Sequence, residues 1–320
     1  MIKELTQVEM KRTREGFGHG LVDLGEKDER IVVLVGDLTD STNVNFFAKK
    51  FPDRFIEVGV AEQNMASVAA GLSLIGKIPY FSTYGAFAAY RSLDMLRITL
   101  CYSNTNVKIG GAHGGISVGP DGATHQSMEE FSILRSLPNM HLVVPCDYWE
   151  ARRATVAIRD IWGPCYIRFG REAVPVVTDE LTPFEFGKAA TFREGSDVAI
   201  IACGVMVYEA LVAADLLSSE GIECRVVNMH TIKPLDKDSI VRAARECRAI
   251  VTAEEHQVNG GLGGAVAETI VTHHPVPMEF VAVMDRFGQS GKPDELMEAF
   301  GLKSKDIVAA VRRVLKRKKK

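Results

Sequence analysis

A single carboxylate stands where a predicted strand passes into a predicted helix. Glu62 lies within residues 57–65, after an apolar run at residues 31–35 and just before a helix of small residues at 66–74. A charged side chain at such a junction in an α/β protein typically faces a cleft rather than the core. We therefore predict that Glu62 faces a ligand cleft. The alternative is a carboxylate that only stabilises the dipole of the following helix.

Two histidines and an aspartate share a glycine-rich segment at residues 110–126. They are His113, Asp121 and His125. Glycine allows the backbone to approach a ligand closely. Imidazole and carboxylate groups can hydrogen-bond a polyhydroxylated substrate and move protons to or from its oxygens. The alternative is a metal site made of the same three side chains, although no further cluster of ligand residues supports it.

Three aromatic residues recur at a spacing of three, which places them on one face of a helical turn. They are Tyr84, Phe87 and Tyr90. An aromatic wall suits a flat, electron-poor ring that stacks away from water. An aromatic stripe at this spacing is also common in a hydrophobic core, so both interpretations stay open at this point.

Strand and helix patterns alternate through two halves of the chain. Helical patterns lie between predicted strands at residues 31–35, 55–58, 78–81, 107–111, 141–144, 197–202, 224–229, 249–254 and 278–283. This alternation predicts two α/β domains, each a mainly parallel sheet with helices on both faces. We place the domains at residues 1–172 and 187–320. A proline-containing linker at residues 173–186 joins them.

Length and composition fit a two-domain globular protein. The chain has 320 residues, of which 46% are hydrophobic and 25% charged, with a formal net charge of −3. We expect no nucleic-acid partner and no membrane contact, because the charge is near neutral and no run of eighteen apolar residues occurs. The six cysteines lack metal or redox spacing and the N-terminus lacks a hydrophobic signal segment. These features predict a cytoplasmic protein.

Three segments resemble the pyrimidine-binding domain of the transketolase family. They are VGVAEQNM at residues 58–65, STYGAFAAYR at 82–91 and HGGISVGPDGATHQ at 113–126. In that family the glutamate matching Glu62 touches the aminopyrimidine of thiamine diphosphate and favours the imino form that activates the cofactor. Residues 226–236 and 254–264 resemble phrases that recur in the second half of thiamine enzymes. The resemblance implies a pyrimidine-binding domain followed by a transketolase C-terminal domain.

The resemblance also implies roles for individual residues. Catalytic roles fall to Glu62, His113 and His125. Contacts with the cofactor fall to Asp37, Glu62, Tyr84, Phe87 and Tyr90. Contacts with a sugar phosphate fall to Arg12, Ser41, His113, Asp121, His125 and Arg171, with Arg14 as the alternative to Arg12. The family usually has Asp-Ser where this chain has Gly114-Gly115, and this departure leaves the sugar open.

The resemblance covers only part of a full-length transketolase. Full-length members have a preceding domain in which a Gly-Asp-Gly motif and a later Asn hold the metal ion. No Gly-Asp-Gly occurs in this sequence. The resemblance therefore implies a split enzyme whose separate N-terminal subunit carries that motif and a Mg²⁺ or Ca²⁺ ion. The two subunits would form a dimer of heterodimers and transfer two-carbon ketol units between sugar phosphates in the pentose phosphate pathway.

Three alternatives to a transketolase remain at this stage. A deoxyxylulose-phosphate synthase has a similar motif around its glutamate, although the segments at 82–97 and 119–126 favour transketolase. The β subunit of a 2-oxoacid dehydrogenase would bind a lipoyl-bearing partner, and the paired histidines argue against it. A noncatalytic scaffold on the same fold is the alternative of a different class.

Overall fold

Fourteen strands and eleven α-helices lie within residues 8–318, the part of the chain that the computed structural model describes. The strands are β1 Met10–Arg12, β2 Ile31–Val35, β3 Phe55–Glu57, β4 Ile78–Tyr84, β5 Lys108–Ala112, β6 His141–Val143, β7 Cys165–Arg168, β8 Ala173–Pro175, β9 Ala190–Arg193, β10 Val198–Ala202, β11 Cys224–Asn228, β12 Thr231–Lys233, β13 Ile250–Gln257 and β14 Met278–Val283. Strand β2 shows why these segments pair. Its five residues are all apolar and all buried, as a parallel strand covered on both faces requires.

The helices connect these strands and cover the sheets. They are α1 Thr13–Lys27, α2 Asn45–Lys50, α3 Glu62–Leu74, α4 Leu93–Met95, α5 Glu130–Ser136, α6 Tyr148–Ala157, α7 Met206–Ser218, α8 Lys237–Cys247, α9 Leu262–His273, α10 Pro293–Ala299 and α11 Ser304–Lys318. Two begin at a capping aspartate. Asp147 accepts from the amide of Glu150, and Asp236 accepts from the amide of Ser239. No helix within the described residues is long and apolar enough to cross a membrane.

Each half of the chain builds its own sheet, and one strand crosses between them. The first sheet has the order β12-β6-β7-β5-β4-β2-β3, and the second has the order β14-β13-β10-β11-β9. Pairing is parallel except for β12 on β6 and β9 on β11. Strand β12 follows β11 in the chain yet pairs with the first sheet. The two sheets also share one hydrophobic core, in which Phe81 and Leu142 belong to the same cluster as Ile201.

The predicted fold class is confirmed, with differences in detail. Sequence reasoning missed β7, whose four residues include Arg168, and it missed the pairing of β12. The predicted linker at residues 173–186 begins with β8, which pairs antiparallel with β1. The helical pattern between the predicted strands at residues 78–81 and 107–111 is not one continuous helix. It forms a π-helical turn at Phe87–Arg91, the short α4 and a second π-helical stretch at Leu96–Tyr102. Wider turns of this kind are frequent at functional sites.

Candidate active site

Glu62 is the first residue of α3, at the positive end of the helix dipole. Its side chain is only 2% exposed, and it forms an ion pair with Arg91. The Nη1 of Arg91 donates to both carboxylate oxygens at 2.9 Å. The Arg91 side chain is 45% exposed, and its guanidinium lies 4.2 Å from the ring centre of Phe87. A buried carboxylate therefore meets a cation that can leave toward solvent. The sequence pattern alone gave Arg91 no role.

Tyr84 and Phe87 bring their rings to the two histidines of the glycine-rich loop. The ring of Tyr84 stacks on His113 with centres 4.2 Å apart. The ring of Phe87 meets His125 edge to face at 5.5 Å, and Tyr84 lies 5.6 Å from Phe87. Tyr84 ends β4, whereas Phe87 lies in the π-helical turn, so the two rings do not share one helical face as their spacing predicts. The strand end brings them together instead.

Tyr90 is placed differently from the other two aromatic residues. Its hydroxyl donates to Glu129 Oε2 at 2.6 Å and accepts from the Ser127 hydroxyl and the Glu129 amide. Burial, and then the neighbouring carboxylate of Glu130, raise the pKa of Tyr90. These contacts connect the π-helical turn to the residues just before α5. Tyr90 therefore supports the turn that carries Phe87.

His113 lies at the carboxyl end of β5 in a strained backbone conformation. Its φ is 54°, which is uncommon for a residue other than glycine. The side chain is buried, and neither ring nitrogen has a hydrogen-bond partner among the described residues. Burial, with the charges of Arg14 and Arg171, lowers the pKa of His113 to about 3. His113 is thus neutral near pH 7, with unsatisfied polar atoms available to a ligand.

Basic side chains gather beside His113. Arg171 Nη1 donates to Asp121 Oδ1 at 3.0 Å and to the Val118 carbonyl at 3.2 Å. Arg14 Nη1 donates to the Ser41 carbonyl at 2.8 Å. Burial, and then the nearby positive charges of Arg12 and Arg171, lower the pKa of Arg14. Cations crowded in this way are suited to bind an anion such as phosphate.

The structure distinguishes between the two arginines at the start of α1. Arg12 is the last residue of β1, and its exposed side chain pairs with Glu15 at 3.3 Å. Arg14 lies one helical position inside α1 and reaches Ser41. Of these two arginines, only Arg14 is among the charges that lower the pKa of His113, so its placement favours Arg14 over Arg12 as a neighbour of His113 and Arg171.

Asp37 lies apart from the contacts around Glu62 and His113. It follows β2 with a φ of 59°, its side chain is exposed, and its amide donates to Glu57 Oε1 at 2.8 Å. No group of three His, Cys, Asp or Glu side chains within residues 8–318 is arranged to hold a metal ion. The carboxyl ends of the first sheet thus present Glu62, two aromatic rings, two histidines and a cationic cluster on neighbouring elements.

Comparison with known proteins explains this combination of groups. A model of the transketolase pyrimidine-binding domain matches residues 9–177, and a model of the transketolase C-terminal domain matches residues 187–307. The chain belongs to the transketolase family. The family resemblance predicted from the three segments is therefore confirmed. A transketolase pyrimidine-binding domain implies thiamine diphosphate as the cofactor.

Similar transketolase proteins are themselves separate subunits. The chain is 44% identical over 305 residues to a 6-deoxy-6-sulfo-D-fructose transketolase subunit of a Clostridium species, covering 95% of each. It is 39% identical to an apulose-4-phosphate transketolase subunit of Phocaeicola vulgatus, covering 92% of this chain and 94% of that protein. A solved split-gene transketolase, described as an inactive β4 tetramer, superposes with a TM-score of 0.91 at 46% identity, covering 96% and 99%. This chain is a transketolase C-terminal subunit of the same kind.

The described residues fit the aminopyrimidine end of that cofactor. A buried carboxylate can meet a ring nitrogen, and the Phe87 ring can accept a flat ring in place of the Arg91 guanidinium. Arg91 contacts both of these groups, so it marks where a positively polarised flat ligand would lie. Neither the Glu62–Arg91 pair nor the preference for Arg14 was visible from sequence. The only signal for Arg91 was that it ends the matched segment at residues 82–91, and Arg14 was only the alternative to Arg12.

Proposed function

We propose that this chain, with a separate N-terminal subunit, transfers two-carbon ketol units between sugars that end in a tetrahedral anionic group. The observation that supports the proposal is a series of neighbouring side chains. Contacts run from Glu62 through Arg91 and Phe87 to His125, and Tyr84 stacks on His113. The positive charge of Arg171 acts on His113 in turn. We assign cofactor activation to the Glu62 end of this series and anion binding to the Arg171 end.

At the cofactor end, Glu62 would hold a proton at the pyrimidine nitrogen, and Phe87 and Tyr84 would provide the aromatic wall for the ring. Thiamine diphosphate, when bound, supplies a nucleophilic carbon that cleaves and forms bonds next to a carbonyl. Burial of Glu62 excludes water from the shared proton. Tyr90 supports the turn that carries Phe87, and Asp37 contributes from the end of β2.

At the substrate end, His113, His125 and Asp121 hydrogen-bond the sugar hydroxyls. The buried nitrogens of His113 lack partners among the described residues and gain them from substrate. Arg171, Arg14 and Ser41 receive the anionic terminus, and Arg12 contributes only long-range charge. The relatives named for a sulfo-sugar and for apulose 4-phosphate suggest either a sulfonate or a phosphate at that position.

The partner subunit supplies what this chain lacks. We propose that it carries the Gly-Asp-Gly and Asn residues that hold Mg²⁺ or Ca²⁺ and the diphosphate. Exposed apolar residues flank both ends of α3. Val60, just before Glu62, is 69% exposed, and Leu74 and Ile75, at the opposite end of the helix, are 78% and 74% exposed. Such an exposed apolar surface suits an interface between subunits. We propose that two copies of each subunit form a heterotetramer. The six cysteines are free and buried, which fits the reducing cytoplasm.

Reconstitution tests the proposal directly. The chain is mixed with the N-terminal subunit, thiamine diphosphate and Mg²⁺, and ketol transfer is measured with fructose 6-phosphate and with 6-deoxy-6-sulfofructose as donors. We expect transfer from at least one donor, no activity from either subunit alone, and poor cofactor binding by this chain alone. Condensation of pyruvate with a triose phosphate instead would indicate a deoxyxylulose-phosphate synthase. Tight, magnesium-dependent cofactor binding by this chain alone would contradict the split-enzyme proposal.

A further inference from the structure

Buried charged side chains occupy the space beside Gly114 and Gly115. A methyl group on Gly114 would overlap Arg168 Nε and lie 2.7 Å from Glu130 Oε1. A methyl group on Gly115, whose φ is 92°, would overlap the carboxyl group of Glu255. These two glycines replace the usual Asp-Ser of the family pattern. Their lack of side chains lets Arg168 and Glu255 reach the backbone of the loop that follows His113.

Glu255 comes from β13 of the second sheet and is 2% exposed. Its Oε1 accepts from the amide of Ser117 at 2.6 Å. Ser117 lies in the first turn of a 3₁₀-helical segment, Ile116–Asp121, which is kinked at Gly119 (φ 83°) and ends on a proposed substrate residue. The second oxygen of Glu255 lies 3.7 Å from Arg168 Nη1 and has no hydrogen-bond partner among the described residues. The second domain thus holds the loop through one carboxylate.

Arg168 joins this carboxylate to the first domain. Its Nε donates to Glu130 Oε1 at 2.7 Å, and its Nη2 donates to the Glu255 carbonyl at 3.0 Å. Tyr166 donates to the other oxygen of Glu130 at 2.6 Å. Two carboxylates and one guanidinium are costly to bury, and apolar residues would often be as stable. Such a network is retained where it specifies one geometry, and here that geometry is the start of the loop.

The end of the loop is also held from the second domain. Gln126 Nε2 donates to the Gln289 carbonyl at 3.0 Å and to the Ile116 carbonyl at 3.1 Å. Pro293 packs beside Gly119. The loop that carries His113, Asp121 and His125 is therefore clamped at both ends, and of these contacts only the Glu255 clamp uses a charged side chain.

We infer that Glu255 is a positioning residue through which the C-terminal domain sets substrate affinity, although it touches neither substrate nor cofactor. It fixes the 3₁₀-helix so that Asp121 meets Arg171 and the histidines face one space. This inference rests on the proposed function, because it concerns the substrate of that same site. It predicts that loss of Glu255 weakens sugar binding and leaves cofactor activation by Glu62 intact.

The matched control is the neighbouring residue on the same strand. Glu254 is equally buried, but it accepts from the amides of Leu262 and Gly263 at the start of α9 and does not reach the loop. Glu255→Ala, Glu255→Asp and Glu254→Gln are therefore compared. The Asp variant keeps a charge beside Arg168 but is one methylene shorter, so it tests the clamp even if the Ala variant does not fold.

Two measurements separate this inference from the proposed function. Amide hydrogen exchange of residues 113–126 in the chain alone should be at least tenfold faster in both Glu255 variants and unchanged in Glu254→Gln. In the reconstituted enzyme, KM for the ketose should rise at least fivefold in the Glu255 variants, while cofactor C2-proton exchange stays within twofold of wild type.

Absence of ketol transfer from the wild type would defeat the proposed function, and hydrogen exchange would still test the clamp. Unchanged loop exchange, an unchanged KM, or an equal response in Glu254→Gln would each overturn the inference.

Discussion

The two ends of the candidate site are held in opposite ways. Glu62 is held by elements of the first sheet alone, and its single ionic partner among the described residues, Arg91, is half exposed. The glycine-rich loop is held by charges that are almost fully buried and come from both domains. A partner that can leave suits a carboxylate that must accept a cofactor. A rigid frame suits a loop that must recognise a sugar with several hydrogen bonds at once.

The largest effect should come from the cofactor end. Glu62→Gln keeps the size of the side chain but cannot share a proton with the pyrimidine. We expect activity to fall about 10²- to 10⁴-fold, with the fold intact. The measurement is C2-proton exchange of bound cofactor in the reconstituted enzyme, with circular dichroism as the control. Near-normal exchange in the Gln variant would show that Glu62 only caps α3.

The next effect should separate the two arginines at the start of α1. Arg171→Ala and Arg14→Ala should each lower kcat/KM for an anionic sugar, because a charge-assisted contact is lost. The loss of transition-state stabilisation should be on the order of 2–4 kcal/mol. Arg12→Ala is the matched control and should cost far less, since Arg12 is exposed and pairs with Glu15. The same variants are compared on the uncharged sugar. Equal losses on charged and uncharged sugars would make these arginines structural.

A smaller effect should distinguish the sugar end from the cofactor end. His125→Ala should lower turnover of the sugar about 10- to 100-fold, because His113 shares the same task. Cofactor C2-proton exchange should stay near wild type, since Glu62 is untouched. Removal of metal by chelation should be reversed by Mg²⁺ alone. A transition metal bound stoichiometrically through His113 and His125 would favour the metal-site alternative instead.

The smallest effect concerns stability against pH. The folded pKa of His113, about 3, lies below the unfolded value of 6.5, so the unfolded chain binds the extra proton between these values. The contribution of His113 to the free energy of unfolding is therefore complete above pH 6.5. It decreases as the pH falls below that value, by up to about 1.4 kcal/mol per pH unit. The raised pKa values of Glu150 and Glu254, both about 7, act in the opposite direction.

A difference measurement isolates that contribution from the two glutamates. The free energy of unfolding of His113→Gln minus that of wild type should become more favourable to the variant as pH falls from about 6.5 to about 4.5. Urea unfolding at several pH values measures this difference, in which the glutamate contributions cancel. A difference that does not change with pH would mean that the pKa of His113 is the same in the folded and the unfolded protein.

Local sequence patterns predicted the residues of one part of the candidate site and missed those of another part. Glu62, Tyr84, Phe87, His113 and His125 each lie at a strand end or in a loop that the strand–helix alternation places at one edge of a sheet. Their convergence was therefore predictable, with the family resemblance supplying roles. Tyr84 ends a strand, and Phe87 and Tyr90 lie in a π-helical turn, so the spacing of three does not place the three rings on one helical face.

The missed residues depend on contacts between distant segments. Glu255 and Ser117 are 138 positions apart, and nothing near either residue in the sequence indicates their pairing. Strand β7 was missed because one of its four residues is Arg168, and an arginine in a short segment normally indicates an exposed position. Arg168 is buried only because Glu130 and Glu255, from distant segments, pair with it. Arg12 and Arg14 differ only in which side of a strand-to-helix boundary they occupy.

The pairing of β12 with β6 has a consequence for how the molecule could be divided. After a cut within residues 173–186, the hydrogen bonds between β12 and β6 would still hold the two pieces together. If the pieces were separated, the first would have an open sheet edge at β6 and the second an unpaired strand. Limited proteolysis there should nick the chain without releasing either part under native conditions. A gene encoding only the second domain would yield a fragment that aggregates, so the two domains should be inherited and expressed as one unit.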